Sequence, residues 1–102
     1  MRIAADYRIA SVRLEDREIN DKLIGLPGWE RDGDSIVREF DCGDFVGSVR
    51  FVDSIVAPAE DMNHHPDVEI SWATVKLRLS THSAGGLTAS DFELAARINR
   101  LY

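Results

Sequence analysis

Alternating apolar and polar residues predict two strands in the second half of the chain, at residues 68–72 and 75–79. Their apolar side chains are Val68, Ile70, Trp72, Val75, Leu77 and Leu79. A tight link around residues 73–74 would join the two strands. Because neighbouring strands joined by a short link pair side by side, this half of the chain is expected to form an antiparallel hairpin.

A second hairpin is expected nearer the start of the chain. Residues 29–31 and 35–40 have strand-forming character and flank a short polar segment. That segment contains an Asp-Gly step at Asp32 and Gly33, which is typical of tight turns between strands. The sequence therefore predicts four strands in two hairpins.

Apolar residues spaced three and four apart predict a short helix after the first residues and a longer helix at the end. The first stops at Gly25 and Pro27, and its apolar residues are Ile19, Leu23, Ile24 and, just beyond it, Leu26. The last begins at a capping box, which gives Thr88 and Asp91 a structural role. Its apolar stripe is Leu94, Ala95, Ile98, Leu101 and Tyr102.

Residues 44–62 contain many β-branched and aromatic residues, which favour strands, but their spacing predicts a helix. One apolar stripe is expected to face the sheet and consists of Phe45, Val49, Val52, Val56 and Ala59. A second stripe is expected to face a helix of another subunit and consists of Phe51, Ile55 and Met62. The pattern thus predicts a helix with two buried faces and a chain that self-associates.

Two prolines bear on the end of this helix. Pro58 cannot donate to the carbonyl of Ser54, so it is expected to kink or loosen the last turn, and the placement of Glu60 stays open. Pro66 has a structural role, because it disfavours a helical conformation for His65. The helix should therefore end at or just before the histidine pair.

In chain order the elements give ββαββα with an added N-terminal helix. The expected fold is α+β with two layers, a four-stranded antiparallel sheet and helices packed on one of its faces. Residues 1–102 are expected to form a single domain. The first dozen residues are ambiguous, because the alternation of Tyr7, Ile9 and Ser11 with their neighbours fits a short strand or an extended arm.

Composition and charge indicate which partners and which cellular compartment the chain is expected to have. A chain of 102 residues can bury one core with little margin, so burial against other subunits would help. The net charge of -6 and the scattered Lys and Arg residues argue against general binding to nucleic acid or anionic membranes. The one cysteine, Cys42, excludes an intrachain disulfide and suits a reducing compartment. Without an apolar span or a signal-peptide core, the expected location is cytoplasmic.

All three histidines, His64, His65 and His82, fall within nineteen residues and lie close to Glu60 and Trp72. Imidazole titrates near neutral pH, so several imidazoles beside a carboxylate and an aromatic ring can hold a planar substrate and move protons on it. Three imidazoles could instead form a zinc or iron site. Adjacent side chains such as His64 and His65 tend to point apart, however, so proton transfer is favoured and no metal is expected.

The histidine region resembles the pterin-4a-carbinolamine dehydratase family. That family has an acidic residue, His-His-Pro, an aromatic residue, a histidine after the next strand and an aspartate near the start of the last helix. This chain matches the pattern at Glu60, His64, His65, Pro66, Trp72, His82 and Asp91. Further similarity upstream, through Leu26-Pro27-Gly28-Trp29, Phe40 and Asp44-Phe45, extends the resemblance to roughly residues 14–102.

The resemblance implies dehydration of a 4a-hydroxytetrahydropterin to the quinonoid dihydropterin. Loss of water from a carbinolamine needs one proton donor and one acceptor, and neither a metal nor a redox cofactor. His64 is the better candidate for the acid, because it should lie at the negative end of a helix dipole, and His82 for the base, although their order stays open.

The resemblance also implies which residues contact the pterin. His65 would mainly bind substrate, and the residues that orient the histidines or meet the ring would be Glu60, Asn63, Trp29 and Trp72. Some members carry Asp where Asn63 stands, which leaves the tautomers of the nearby histidines open. Plain core packing explains the two tryptophans equally well.

Family members also occur as dimerisation cofactors of a homeodomain transcription factor and as assembly factors. A non-enzymatic interaction module on the same fold is therefore the alternative function. The intact histidine set favours catalysis. The resemblance further implies homodimers that can pair into homotetramers, so the expected partners are a small-molecule pterin and further copies of the chain, with no nucleic acid or membrane.

Overall fold

The structure is a computed structural model that describes residues 12–102. Its helices and strands are α1 (Asp16–Ile24), β1 (Glu30–Asp32), β2 (Ser35–Asp41), α2 (Phe45–Met62), β3 (Asp67–Ser71), β4 (Thr74–Leu79) and α3 (Ala89–Leu101). A single turn of 3₁₀ helix spans His82–Ala84. Within residues 12–102 no helix is long and apolar enough to cross a bilayer. The alternation at Tyr7, Ile9 and Ser11 lies outside the described residues.

The four strands form one antiparallel sheet in the order β1-β2-β4-β3. Alternate residues of β2 and β4 point to one face and are at most 1% exposed, namely Ile36, Phe40, Val75, Leu77 and Leu79. All three helices cover this face and complete the core with Ile19, Phe51, Ile55, Ala59, Phe92, Leu94, Ala95 and Ile98. The predicted α+β fold, with helices on one face of the sheet, is confirmed.

Both predicted hairpins are present. β1 and β2 are joined around Gly33, whose φ of 61° is easily adopted by glycine. β3 and β4 turn at Trp72 and Ala73, because Ser71 pairs with Thr74. This turn lies one residue earlier than predicted, since alternation alone counts Trp72 as a strand residue.

The helix α2 faces the sheet with Phe51 and Ile55 of the second predicted stripe, whereas Ala59 alone of the stripe predicted to face the sheet is buried. The buried residues, at most 8% exposed, are Phe51, Ile55 and Ala59. The outward residues, at least 44% exposed, are Phe45, Val49 and Val56. The reason is Ser48, which an apolar pattern omits: it is fully buried, and its hydroxyl donates to the carbonyl of Trp72 at 2.6 Å. This bond turns the Ser48 side of α2 toward the sheet.

The end of α2 positions the histidines. The helix runs through Pro58 to Met62, so the expected loosening does not end it early. Asn63 then adopts a left-handed conformation with φ 48°, which Asn tolerates better than most residues. The N–H of His64 bonds the carbonyl of Ala59 at 3.0 Å and closes the helix end. The helix therefore stops just before the histidine pair, as predicted.

The two faces of α2 can be tested with one charge placed on each. Ile55→Glu puts a carboxylate in the core, so the chain should fail to fold or its free energy of unfolding should fall by about 3 kcal/mol or more. Val49→Glu puts the same group on the outward face and should leave a cooperatively folded chain. Urea denaturation followed by circular dichroism compares them. A folded Ile55 variant beside an unfolded Val49 variant would reverse the assignment.

Candidate active site

A buried carboxylate lies between the elements that carry the predicted catalytic histidines. Asp91, the third residue of α3, is 0% exposed. Its Oδ2 accepts the backbone N–H of Thr88 at 2.9 Å and the hydroxyl of Thr81 at 2.8 Å. Its Oδ1 lies 2.6 Å from Nε2 of His64. Both oxygens thus have partners, as a buried carboxylate requires.

The ring of His64 packs against this carboxylate, and its side chain is 14% exposed. An ionised carboxylate only accepts hydrogen bonds, so the contact requires a hydrogen on Nε2 of His64. Nδ1 is then the ring nitrogen left to exchange a proton with a bound molecule. The aspartate of a Ser-His-Asp triad orients its histidine in the same way.

His82 is anchored to the same carboxylate through its neighbour. It is exposed and begins the 3₁₀ turn directly after Thr81, whose hydroxyl bonds Asp91. The backbones of Thr81 and Gly86 exchange hydrogen bonds of 3.0 and 3.4 Å, which close the loop that carries His82. Asp91 therefore links the segments that hold both predicted catalytic histidines.

A second histidine–carboxylate contact lies on the surface. Nε2 of His65 contacts Oε2 of Glu60, and their side chains are 55% and 68% exposed. Glu60 lies on the last turn of α2, and Pro66 follows the histidines into β3. Asn63 is exposed, and its left-handed backbone is sufficient reason for the residue type. Four of the predicted polar site residues thus form two histidine–carboxylate contacts, and His82 lies on an anchored loop.

The structure does not bring either tryptophan to the histidines of its own chain. Trp29 is 5% exposed, and its Nε1 donates to Oδ1 of Asn99 at 2.8 Å, toward the opposite end of α3 from Asp91. Trp72 is 73% exposed and follows the end of β3 that is remote from the histidine pair. Core packing explains Trp29 but not Trp72.

The lone thiol lies elsewhere. Cys42 is partly buried beside the β3–β4 turn, where its N–H bonds the carbonyl of Ala73 at 2.7 Å. Burial raises the pKa of this thiol. Among residues 12–102 no three His, Cys, Asp or Glu side chains converge as the ligands of a metal ion would.

Sequence reasoning accounts for Asp91 as a capping residue and misses its contact with His64. The capping bond exists, with Thr88 as the N-cap of α3. The capping box could have indicated this contact, because a carboxylate that gives one oxygen to the helix end needs another hydrogen-bond partner for its second oxygen. Nothing in the sequence indicates that Thr81 bonds Asp91, apart from its position next to His82.

Comparison with known proteins identifies the family of this chain. The sequence profile described as pterin 4 alpha carbinolamine dehydratase matches residues 12–101. A relative from Thermosynechococcus vestitus, provisionally named a pterin-4-alpha-carbinolamine dehydratase, is 45% identical over 89 residues, which are 87% of this chain and 94% of the relative. A relative from Roseiflexus castenholzii with the same provisional name is 46% identical over 88 residues, 86% of this chain and 95% of the relative.

Solved structures share the fold. A crystal structure from Brucella melitensis, described as a transcriptional coactivator/pterin dehydratase, aligns with a TM-score of 0.83 and 32% identity over 87% of this chain and 97% of that one. A pterin dehydratase-like RuBisCO assembly factor of the alpha-carboxysome aligns with a TM-score of 0.56 and 21% identity over 72% of this chain and 84% of that one, which shows the fold alone. Since the family profile covers almost all of residues 12–102, the chain belongs to the pterin-4-alpha-carbinolamine dehydratase family.

Proposed function

We propose that this chain dehydrates a 4a-hydroxytetrahydropterin to the quinonoid dihydropterin, in tetrahydrobiopterin recycling or a related branch of pterin metabolism. The observation that carries the proposal is the buried Asp91, which bonds His64 directly and holds the His82 loop through Thr81. Family membership supplies the substrate class. The reaction needs only groups that exchange protons, and the site offers them.

The reaction removes a hydroxyl from C4a and a proton from the adjacent nitrogen, which leave together as water. One imidazole protonates the departing hydroxyl as the C–O bond breaks, and the other accepts the nitrogen proton as the C=N bond forms. Nδ1 of His64 serves this step, because Asp91 occupies Nε2. Nδ1 donates a proton when the ring is charged and accepts one when it is neutral, so the same contact supports either role, and His82 takes the complementary one.

We assign pterin binding to the surface contact of Glu60 with His65 and to the nearby Asn63. The carboxylate of Glu60 can accept hydrogen bonds from the amino-pyrimidinone edge of a pterin, and its contact with His65 orients that imidazole. Asn63 adds an amide that can both donate and accept. These three residues precede or adjoin His64, so a pterin bound by them lies beside the proton-transfer group.

A non-enzymatic interaction module is the second candidate, and the exposed apolar residues of α2 favour it. A direct assay separates the two functions. Several 4a-hydroxytetrahydropterins are generated in situ, and their dehydration is followed with and without the protein. Acceleration above the spontaneous rate supports the dehydratase, whereas no acceleration with any of them leaves the interaction module.

Substitution of the histidines separates proton transfer from binding. His64→Ala and His82→Ala should each lower kcat by about a hundredfold or more, the usual contribution of a general acid or base. His65→Ala should mainly raise KM. The spontaneous dehydration must be subtracted from every rate. Wild-type kcat in both the His64 and the His82 variant would refute the acid–base assignment.

The role of Asp91 can be separated from helix capping. Asp91→Asn keeps an oxygen for the N–H of Thr88 but removes the carboxylate that orients His64, so kcat should fall by about tenfold or more while the chain stays folded. Thr88→Ala is the comparison variant, because it weakens the same capping box by about 1 kcal/mol and removes the bond to the hydroxyl of Thr81, but leaves the carboxylate beside His64. Equal kcat in the two variants would reduce Asp91 to a capping residue.

Metal removal tests the cofactor assignment. If the histidines transfer protons rather than bind an ion, protein treated with a strong chelator should keep full activity. Elemental analysis should find no stoichiometric transition metal in active protein. A zinc enzyme treated in parallel shows that the chelator is effective. Activity that is lost to the chelator and restored by zinc would overturn the proposed mechanism.

A further inference from the structure

Two threonine hydroxyls and a carboxylate form a closed hydrogen-bond network behind the histidines. Oγ1 of Thr81 lies 2.8 Å from Oγ1 of Thr88 and 2.8 Å from Oδ2 of Asp91. Asp91 and Thr88 in turn bond each other, since Oδ2 accepts the N–H of Thr88 at 2.9 Å. Thr88 and Asp91 are fully buried and Thr81 is partly buried. The network therefore lies largely out of contact with water.

Each hydroxyl hydrogen of this network has one possible direction. An ionised carboxylate only accepts hydrogen bonds, so Thr81 donates to Asp91. A hydroxyl has a single hydrogen, so Thr81 has none left for Thr88, and Thr88 must donate to Thr81. Hydrogen bonds that follow one another in the same direction strengthen each other. The hydroxyl of Thr81 is thus a fixed donor to the carboxylate that holds His64.

Thr81 also connects the two predicted proton-transfer groups. Its side chain bonds Asp91, whose other oxygen bonds His64, and its backbone continues directly into His82. The loop itself does not need the hydroxyl, because the backbone bonds between Thr81 and Gly86 close it. What the hydroxyl adds is the position of that loop relative to the carboxylate. The two imidazoles are therefore held relative to each other through one side chain.

We propose that the hydroxyl of Thr81 is a positioning group for proton transfer. It orients Asp91 toward His64 and fixes the loop of His82, so that one imidazole can donate while the other accepts. Misplacement of reacting groups by even a small distance slows a reaction strongly. Thr81 acts through Asp91 rather than on the substrate, so its loss should change kcat and leave KM nearly unchanged. The inference rests on the proposed function for its reaction, and its effect on His64 can be measured without activity.

Variants of Thr81 separate the hydroxyl from the packing of the side chain. Thr81→Val keeps the branched shape and removes the hydroxyl, so kcat should fall about tenfold or more while KM stays within about twofold. Thr81→Ser restores the hydroxyl on a smaller side chain and should recover most of the wild-type kcat. Ser80→Ala is the matched control, because the hydroxyl of Ser80 bonds the carbonyl of Asp34 at 2.9 Å, and this variant should keep the wild-type kcat. A wild-type kcat in Thr81→Val, or a loss that serine does not recover, would overturn the inference.

Nitrogen NMR of the histidines separates this inference from the proposed function. The Nε2 hydrogen of His64 should exchange with water about tenfold faster in Thr81→Val than in the wild type, and Thr81→Ser should restore its protection. Thr81→Ala removes the same hydroxyl and gives the same comparison if the valine chain does not fold. Unchanged protection without the hydroxyl would overturn the positioning role in an active protein. A wild type without dehydratase activity would instead defeat the proposed function, and the exchange comparison would still decide whether Thr81 positions His64.

Discussion

The site depends on the burial of one carboxylate. A carboxylate removed from water is destabilising unless polar or charged groups replace its hydration. Asp91 meets this condition through the backbone of Thr88, the hydroxyl of Thr81 and the ring of His64. These partners come from the start of α3, the loop after β4 and the end of α2. One side chain therefore fixes three elements relative to one another, and the packing that completes the fold also assembles the site.

The sheet and α2 place the remaining groups around that point. Asn63 ends α2 and turns the chain, so the histidine pair lies just before the start of β3. Near the other end of α2, the buried Ser48 bonds the carbonyl of Trp72 in the β3–β4 turn, and the ring of Trp72 is exposed. The polar chemistry and the exposed aromatic ring thus lie at opposite ends of one edge strand.

The sequence predicts those features whose signals are local. Gly25 ends α1, an Asp-Gly step turns the first hairpin, and Thr88 with Asp91 caps α3, because each acts through neighbouring backbone groups. Which face of α2 is buried cannot be predicted from the local sequence. Its two stripes are similarly apolar, and the residue that decides between them, Ser48, is polar.

The candidate site also has features that the sequence predicts and features that it does not. The residue types are readable from the spacing of the histidines, the acidic residues and the proline. Their pairing is not, because His64 and Asp91 are 27 residues apart and meet only in the folded chain. Trp72 was also assigned wrongly. The alternation of apolar residues places it in a strand, but its positive φ places it in the turn. A capping carboxylate gives only one oxygen to the helix end, so its other oxygen can bond a residue that is distant in sequence.

The tautomer of His64 tests the central claim most directly. Nitrogen NMR of labelled imidazoles, recorded where the ring is neutral, reports which ring nitrogen carries the hydrogen. The contact with Asp91 predicts a hydrogen on Nε2 and a bare Nδ1, with the Nε2 hydrogen protected from exchange with water. A hydrogen on Nδ1 would show that the buried carboxylate does not orient this ring, and the account of the site would fail.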